Sequence, residues 1–459
     1  MTDFFGLQFR LTTSSKQHSN QFMPIAKPSP ITPKGSIQNN ASPFSKKYRN
    51  YILFILTGVY VFNFIDRQIL VILQESIKKD LGLSDTQLGL MSGFTFAIFY
   101  VSFGIPIARL ADKGNRKNII TISIIIWSGM TALSGRAQNF IQLLLARIGV
   151  GVGEAGGSPP AHSIISDLYP PEKRATALAI YSTGISIGLL IGFLIGGWID
   201  HYFGWRIAFF VVGFPGIIYS LILYFTVKEP LRGLSENKIG KDENNSIKEV
   251  ILTLWGSKSF RYLALGTGMA AYASYATTSW IPSFLSRVHG MKSNEIGYWL
   301  SLSIGIGGGL GNFLGAYISD KMGKKDKRWY LWLPAAALLI VIPFSLTVYF
   351  VPNTNVALLC IAIPAFLLSV YLAPCIALTH GLVKLRMRAM ASAILFFILN
   401  ILGLGCGPLI TGIVSDYLKP SMGAESLRWA LTSALIANIL GAFLFFMAAR
   451  TIREDLNKQ

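Results

Sequence analysis

Long apolar segments follow one another along nearly the whole chain, and they constrain its fold more than any other feature. A helix needs about 20 mostly apolar residues to cross a bilayer. Twelve segments of the sequence meet this requirement and alternate with polar loops, so we expect an all-α integral membrane protein with twelve transmembrane helices. The segments are approximately 49–73, 86–110, 117–136, 139–166, 174–200, 205–227, 260–286, 294–319, 328–351, 355–383, 388–417 and 425–450.

The composition excludes a water-soluble fold. Hydrophobic residues make up 52% of the chain and charged residues 14%, so polar groups are too few to cover the apolar surface. The net charge of +19 lies mainly in loops between apolar segments, which indicates membrane topology rather than nucleic-acid binding. Cysteine and histidine spacings predict no disulfide framework and no metal site, and we expect no cofactor.

Two basic loops are near copies of each other. Residues 108–117 and 316–325 match with a constant displacement, which is 208 positions between Asp112 and Asp320 (320 − 112 = 208). Each loop follows the second apolar segment of its half of the chain. This internal repeat predicts two six-helix halves, as in duplicated membrane transporters.

A second matched pair supports the duplication: the segments 174–200 and 388–416 each open with an Arg-Ala-x-Ala run and close on Asp. The predicted organisation is a disordered cytoplasmic tail 1–48, an N-terminal bundle 49–227, a cytoplasmic linker 228–258, a C-terminal bundle 259–450 and a cytoplasmic tail 451–459.

Lys and Arg concentrate on one side of this twelve-helix arrangement. Because basic loops stay in the cytoplasm, both termini and the linker are expected to be cytoplasmic. We expect a monomeric, multi-pass protein of a bacterial inner membrane. The basic clusters on this side lie within 46–49, 109–117, 173–174, the linker, 321–328 and 384–388.

Four ionisable residues lie at membrane depth in the first half. Asp66 and Arg67 are about 25 Å from the cytoplasmic end of the first helix, and Arg147 and Glu154 are two turns apart on one face of the fourth. Charges at such depth are costly unless they are paired or face water, which favours a functional role. The alternative is a structural ion pair between Asp66 and Arg147.

A carboxyl group beside an arginine can exchange a proton when a conformational change moves the two apart, because burial and the positive charge act on it in opposite directions. We therefore predict Asp66 and Glu154 as proton-coupling residues, with Arg67 and Arg147 as binding residues for an anionic group.

The second half has no comparable ionisable residue in mid-span. Its candidate substrate-binding residues are Tyr272, Tyr275 and Thr278 in the seventh helix, Tyr371 in the tenth and Asn400 in the eleventh. An apolar wall with a few polar groups suits an amphipathic substrate whose headgroup meets the two arginines. Ordinary packing of aromatic residues is an equal alternative for each of them.

These features together resemble the major facilitator superfamily, over residues 49–450. Within it, the segments 63–67, 147–154 and 167–174 resemble the spinster-like branch, as does the loop 112–117, in which Asn115 stands where most of the superfamily has Gly. The resemblance implies the two-bundle fold and the same two proton-coupling carboxyls. The branch includes carriers of lysophospholipids and sphingosine phosphate.

The resemblance also implies a gate. Asp112 would bridge the two halves on the cytoplasmic side and stabilise the outward-open state. Asp320, the equivalent residue of the second loop, would do the same more weakly. A pure topology signal would explain the basic residues of these loops but not the repeated Asp. The fifth helix resembles an antiporter motif, but Leu189 stands where that motif has Pro, so it does not predict exchange. The remaining gating candidates are Lys113, Arg116, Lys117 and Lys321.

The leading functional hypothesis is a proton-coupled secondary carrier of an anionic amphiphile such as a lysolipid. A small organic anion or sugar acid is the main alternative, because arginine binds carboxylate as well as phosphate. A membrane-embedded enzyme is disfavoured, since the sequence has no Ser-His-Asp set and no metal-spaced cluster. The charged core argues against a sensor that does not transport.

Overall fold

The structure is a computed structural model that describes residues 44–233, 247–384 and 387–457. All of the regular secondary structure in these ranges is helical, as the sequence predicts. Most of the predicted N-terminal tail (residues 1–43) and part of the linker (234–246) lie outside the described residues.

Helices cover all six predicted segments of the first half, and the second and fourth crossings are each divided in two. The helices are α1 (Lys46–Leu81), α2 (Asp85–Gly89), α3 (Thr95–Lys113), α4 (Arg116–Ser134), α5 (Phe140–Glu154), α6 (Ser158–Leu168), α7 (Pro171–Phe203) and α8 (Trp205–Thr226).

The second half repeats this arrangement after a short extra helix, α9. The helices are α9 (Ile247–Gly256), α10 (Lys258–His289), α11 (Ser293–Leu300), α12 (Gly308–Gly323), α13 (Trp329–Phe350), α14 (Thr354–Leu367), α15 (Leu372–Gly381), α16 (Arg388–Leu399), α17 (Gly407–Met422), α18 (Ser426–Ala434) and α19 (Ile436–Asn457).

Nine helical runs in the described part of the chain are both long and apolar enough to cross a membrane. One of them, Met390–Asn457, has 68 residues, far more than one crossing needs, and it turns at Gly423, whose φ is 57°. The seventh and eighth predicted crossings, α10 and α11 to α12, are not among the nine. Both are long helical runs that are less apolar, with many Gly, Ser and Thr residues.

Several predicted boundaries differ from the structure, most clearly where α1 ends at Leu81 rather than near residue 73. α1 begins at Lys46 rather than 49, because the Ser45 hydroxyl caps it by accepting from the Tyr48 amide. The predicted linker contains α9. The predicted tail 451–459 is helical to Asn457, and the Asp455 carboxylate anchors this last turn by accepting from the Ser259 amide at 2.9 Å.

Glycines set the close packing of α7 against α1. A Cβ atom on Gly188 would lie 2.6 Å from Phe64 Cβ and 2.7 Å from the Val61 carbonyl oxygen, so no larger residue fits. In the second half, a Cβ atom on Gly407 would lie 2.8 Å from the Tyr272 carbonyl oxygen. Small residues at these positions bring the backbones of membrane helices into direct contact.

Three single π-helical segments lie where the two halves meet: Leu90–Phe94, Ser301–Gly307 and Asn400–Cys406. A Cβ atom on Gly93, in the first segment, would lie 2.8 Å from the carbonyl oxygen of Leu404, in the third. These wider turns therefore form part of the interface between the halves, and π segments frequently occur at functional sites.

Candidate functional site

A buried ion pair forms the centre of the N-terminal half. Arg67 donates to one oxygen of Glu154, from Nη2 at 2.5 Å and from Nε at 3.1 Å. The Arg67 guanidinium lies over three aromatic rings, those of Phe64 (4.9 Å), Phe96 (4.8 Å) and Tyr100 (5.5 Å). The other oxygen of Glu154 is buried and accepts no hydrogen bond from the described residues.

Asp66 lies beside this pair and is fully buried. Its Oδ2 accepts from the Ser128 hydroxyl at 2.8 Å, whereas Oδ1 has no partner among the described residues. Arg147 donates to the backbone carbonyl of Asp66 at 3.3 Å, not to its carboxylate. The alternative of an Asp66–Arg147 ion pair is therefore not what the structure contains, because Glu154 pairs with Arg67 and the Asp66 carboxylate forms no ion pair with a described residue.

The glycines of the segment 147–154 let neighbouring helices approach α5. A Cβ atom on Gly151 would lie 3.2 Å from the Phe96 carbonyl oxygen in α3, and one on Gly153 would lie 2.7 Å from the Trp127 amide nitrogen in α4. This close packing places Phe96 and Ser128 against the four ionisable residues.

The candidate residues of the second half do not converge on one site. Tyr275 packs against the buried clusters of both halves, and Thr278 lines a cavity inside the C-terminal half. Tyr272 borders an apolar groove between α10, α17 and α19, and Tyr371 is buried in the core. Asn400 opens the third π segment. For Tyr371, ordinary packing in a membrane bundle describes the structure better than a substrate-binding role.

The cavity in the C-terminal half has a volume of about 50 Å³ and lies between α10, α13 and α14. The hydroxyl oxygens of Ser345 and Tyr349 are buried and have no hydrogen-bond partner among the described residues. The cavity can therefore accept a small hydrogen-bonding group. Its hydroxyl-bearing residues are Ser274, Thr277, Thr278, Ser345, Tyr349 and Ser369.

An ion-pair network joins the halves at the end of the bundle opposite the basic loops. The fully buried Asp85 accepts two hydrogen bonds from Arg287, both at 2.7 Å, and one from Ser415 at 2.7 Å. Lys78 pairs with the same carboxylate. Arg287 also donates to Glu75, at 2.5 and 2.8 Å. We call these five residues the outer network.

The same end is reinforced by Asp416, which accepts from the amides of Asp85 (3.1 Å) and Thr86 (2.7 Å) and so caps α2 from the other half. Between described residues, every hydrogen bond and ion pair that crosses from one half to the other lies at this end. The structure is thus closed on the side opposite the basic loops.

The sequence alone predicts no role for the outer network. Its one signal is the presence of opposite charges at the outer ends of α1, α2 and α10. Lys78 and Arg287 look like scattered exceptions to the cytoplasmic bias of the basic residues, and only the fold shows that they meet Asp85.

The gating candidates of the two basic loops lie at the other end. Asp112, Lys113 and Lys321 are exposed, and Asp112 has no hydrogen-bond or ion-pair partner in the described part of the chain. Asp320 accepts from the Tyr330 hydroxyl of its own half at 2.8 Å. The bridge that the resemblance implies would form in the opposite conformation, so the gating role of Asp112 and Asp320 stays a prediction.

Replacing Asp112 by Ala is expected to favour the state seen here and to slow turnover, because a charge-assisted contact worth roughly 1.5 to 3 kcal/mol would be missing only from the outward-open state. Asp320→Ala should act more weakly. Spin-label distances across the cytoplasmic rim measure the shift. An unchanged distance distribution together with lost transport would instead indicate a role in insertion or folding.

Arg116 is buried and serves the N-terminal half alone. Its guanidinium pairs with Asp167 and with Glu229, at 2.7 Å for the latter, and donates to Ser163 and to the Pro230 carbonyl, both at 2.8 Å. Arg116 therefore anchors the start of the linker to α4 and α6. Lys117 contributes through its amide, which donates to Glu229 at 2.8 Å.

Arg116→Ala is expected to destabilise the protein by about 3 kcal/mol or more, because it leaves Asp167 and Glu229 without their buried cation. The thermal unfolding midpoint of the purified protein in detergent measures this loss. Arg109→Ala, which removes an exposed arginine from the same region, is the matched control and should leave the midpoint nearly unchanged. Equal midpoints in the two variants would contradict the anchoring role.

The second basic loop is tied to the C-terminal helix by Asp326. Its carboxylate accepts from Arg328 Nε at 2.9 Å and from Arg453 at 2.7 Å. The hydrogen bond from Arg328 lowers the pKa of Asp326 to about 2, and Arg453 acts in the same direction. The loop is therefore held within its own half.

Two six-helix halves that are joined at one end, with carboxyl groups and arginines buried within the first, are typical of a membrane transporter. The chain belongs to the major facilitator superfamily, whose profile (Major Facilitator Superfamily) matches residues 56–363 and 263–459.

Individual relatives agree with this assignment. The chain is 32% identical to an MFS-type efflux pump of Mycolicibacterium smegmatis, over 88% of this chain and 93% of that protein. It is 26% identical to a hexuronate transporter of Bacillus subtilis, over 90% and 97% of the two chains.

Among solved structures, the chain is similar to a bacterial homologue of the human lysosomal transporter Spinster in an inward-facing, unoccupied conformation, with a TM-score of 0.82 and 34% identity over 90% of this chain and 99% of that one. The resemblance to the spinster-like branch is therefore confirmed.

Proposed function

We propose that this protein is a proton-coupled transporter of an organic anion, with Glu154 and Asp66 as the proton-carrying groups. The observation that carries the proposal is the buried Arg67–Glu154 pair, in which one Glu154 oxygen accepts both hydrogen bonds and the other accepts none from the described residues.

Protonation of Glu154 would neutralise the carboxylate that pairs with Arg67. The guanidinium, held among three aromatic rings, would then lack a counter-charge in a buried site, which is unfavourable. An anionic group of the substrate restores the balance. Proton binding and anion binding thereby favour each other, which is the coupling that a symporter requires.

Asp66 supplies a second protonation site. A carboxylate at membrane depth costs roughly 3 kcal/mol when uncompensated, and among the described residues this one accepts a hydrogen bond from Ser128 alone. If water reaches the site in another conformation, the free-energy cost of ionising Asp66 is lower in that conformation. A proton can therefore be bound in one state and released in the other.

For the substrate we favour an anionic amphiphile such as a lysophospholipid. The arginines are surrounded by aromatic and apolar side chains, which suit a substrate with both a charged head and an apolar portion. The similarity to a bacterial homologue of Spinster, at 34% identity, supports the resemblance to the spinster-like branch, and that resemblance implies substrates of this class.

The second candidate substrate is a sugar acid, and the hydroxyl-lined cavity favours it. Ser345 and Tyr349 would gain hydrogen bonds from a hydroxylated ligand, whereas an alkyl chain would leave them unpaired, at about 1 to 3 kcal/mol each. The similarity to a hexuronate transporter points the same way.

We further propose that the protein acts as a monomer in a bacterial inner membrane, with both termini and the linker in the cytoplasm, as the distribution of Lys and Arg predicts.

The test is uptake by purified protein in liposomes, with lysophosphatidylglycerol and D-glucuronate as separate probes, with and without a pH gradient of either direction. We expect one of the two anions to accumulate only when a gradient is imposed, and a protonophore to abolish the accumulation. Transport that is indifferent to the gradient would refute proton coupling. Transport of neither probe in any condition would refute both substrate classes.

A further inference from the structure

The helix α9, between the two halves, has two apolar sides. Val250 and Leu254 are buried in the core of the C-terminal half, against α10 and α16. On the other side, Ile251, Leu252 and Trp255 are exposed by 42%, 62% and 50%. The packed side explains why α9 forms, but it leaves three large apolar side chains uncovered.

These three side chains form one stripe. Positions 251, 252 and 255 lie on the same helical face, together with the exposed Lys248 one turn earlier. A stripe of this kind is unfavourable in water and favourable at the boundary of a bilayer, where Trp is enriched at the level of the headgroups.

A third side of α9 is polar. Glu249 and Thr253 lie between the packed side and the exposed apolar stripe, and the Thr253 hydroxyl donates to the Glu249 carbonyl at 2.8 Å. One side of α9 packs on protein, a second is apolar and a third is polar. This arrangement is typical of a helix that lies in the plane of the membrane surface.

The next helix shows where the membrane surface is. Lys258 and Arg261 are exposed in the first turn of α10, and Leu265, one turn further on the same face, is 46% exposed. The change from basic to apolar residues marks the boundary between headgroups and acyl chains. The exposed stripe of α9 ends beside this boundary, because Trp255 lies just before Lys258 in the chain and its ring packs edge-on near that of Phe260 in α10, with the centroids 6.2 Å apart.

We propose that α9 is an interfacial helix that binds anionic phospholipid. The lipid acyl chains contact Ile251, Leu252 and Trp255, and the lipid phosphates contact Lys248, Lys258 and Arg261. Three exposed cations around an apolar stripe are complementary to an anionic headgroup. Because α9 packs on the C-terminal half, the lipid contact holds that half at a fixed depth while the N-terminal half moves against it.

The test uses the full chain, with its three native cysteines replaced, in nanodiscs of phosphatidylglycerol and phosphatidylethanolamine. A nitroxide at Leu252→Cys is expected to be relaxed strongly by oxygen and weakly by a water-soluble nickel chelate, which places it below the headgroups. A nitroxide at Glu249→Cys, on the polar side of the same helix, is the matched control and should show the opposite preference.

Replacing phosphatidylglycerol by phosphatidylcholine should increase the accessibility of position 252 to the nickel chelate, as should Lys258→Gln combined with Arg261→Gln. An unchanged accessibility would refute the recognition of anionic lipid. Strong relaxation by the nickel chelate in anionic nanodiscs would place the stripe in water. Protection from both reagents would mean that protein covers it, either residues 1–43, the linker or a second copy of the chain. Both results would overturn the proposal.

Discussion

Glu154→Gln is expected to abolish proton-driven accumulation of substrate, so that the internal concentration rises only to the external one. Glutamine is neutral and nearly isosteric, so it imitates the protonated carboxyl permanently. Arg67 then has no ionic partner in α5 and remains available to an anion. Binding and exchange of substrate between the two sides should survive, because neither requires a proton to be released.

Uptake with an imposed pH gradient and counterflow without one, measured on the same proteoliposomes, separate these two properties. Glu172→Gln, which neutralises an exposed carboxylate in the first turn of α7, is the matched control and should accumulate substrate normally. Asp66→Asn should also lose accumulation while keeping the Ser128 and Arg147 contacts, since Arg147 binds the backbone of this residue. Full pH dependence in both variants would show that the proton travels elsewhere.

Arg287→Gln is expected to shift the protein strongly toward the state that is open on the outer side. The substitution removes four charge-assisted hydrogen bonds between the halves, two to Glu75 and two to Asp85. If water compensates for most of this loss and about 3 kcal/mol remains, the equilibrium changes by roughly a hundredfold. Arg287→Lys should give a smaller shift, because lysine lacks the planar fork that binds two carboxylates at once.

Spin labels at Lys79→Cys and Lys419→Cys report the outer side, and labels at Lys173→Cys and Lys325→Cys report the cytoplasmic side. The outer distance should lengthen and the cytoplasmic one shorten. Arg206→Gln is the matched control: this arginine also pairs at the outer end, with Asp80, but both partners belong to the N-terminal half. If the two variants gave the same distances, the outer network would be a stabilising feature of each state rather than a latch.

The sequence predicts the depth of the buried carboxyls in the candidate site but not their ion-pair partners. The depth of Asp66 and Glu154 follows from their position in apolar helices, and the structure buries both. Their partners do not follow, because two carboxyls and two arginines on α1 and α5 allow several pairings. The packing of α5 against α3 and α4, which its glycines allow, sets the rotation in which Glu154 pairs with Arg67 and Arg147 donates to a backbone carbonyl.

The second half was harder to predict. Periodicity places Tyr272, Tyr275 and Thr278 in one helix. It does not predict which side of α10 faces the other half, which borders the apolar groove and which lines the internal cavity. In the structure Tyr275 packs against the other half, Tyr272 borders the apolar groove and Thr278 lines the internal cavity. Apolar helices in a membrane bundle have little sequence contrast between faces, so the helix rotation depends on packing.

The sequence alone determined that the chain is a duplicated bundle of membrane helices, because lipid leaves a long apolar segment no way to satisfy its backbone other than a helix. Only the tertiary structure decided which end of the transporter is closed. The contact between Asp85 and Arg287 joins residues 202 positions apart, from opposite halves, and it exists in one arrangement of those halves. Local sequence fixes each helix, whereas the equilibrium between arrangements depends on contacts that form only when the halves meet.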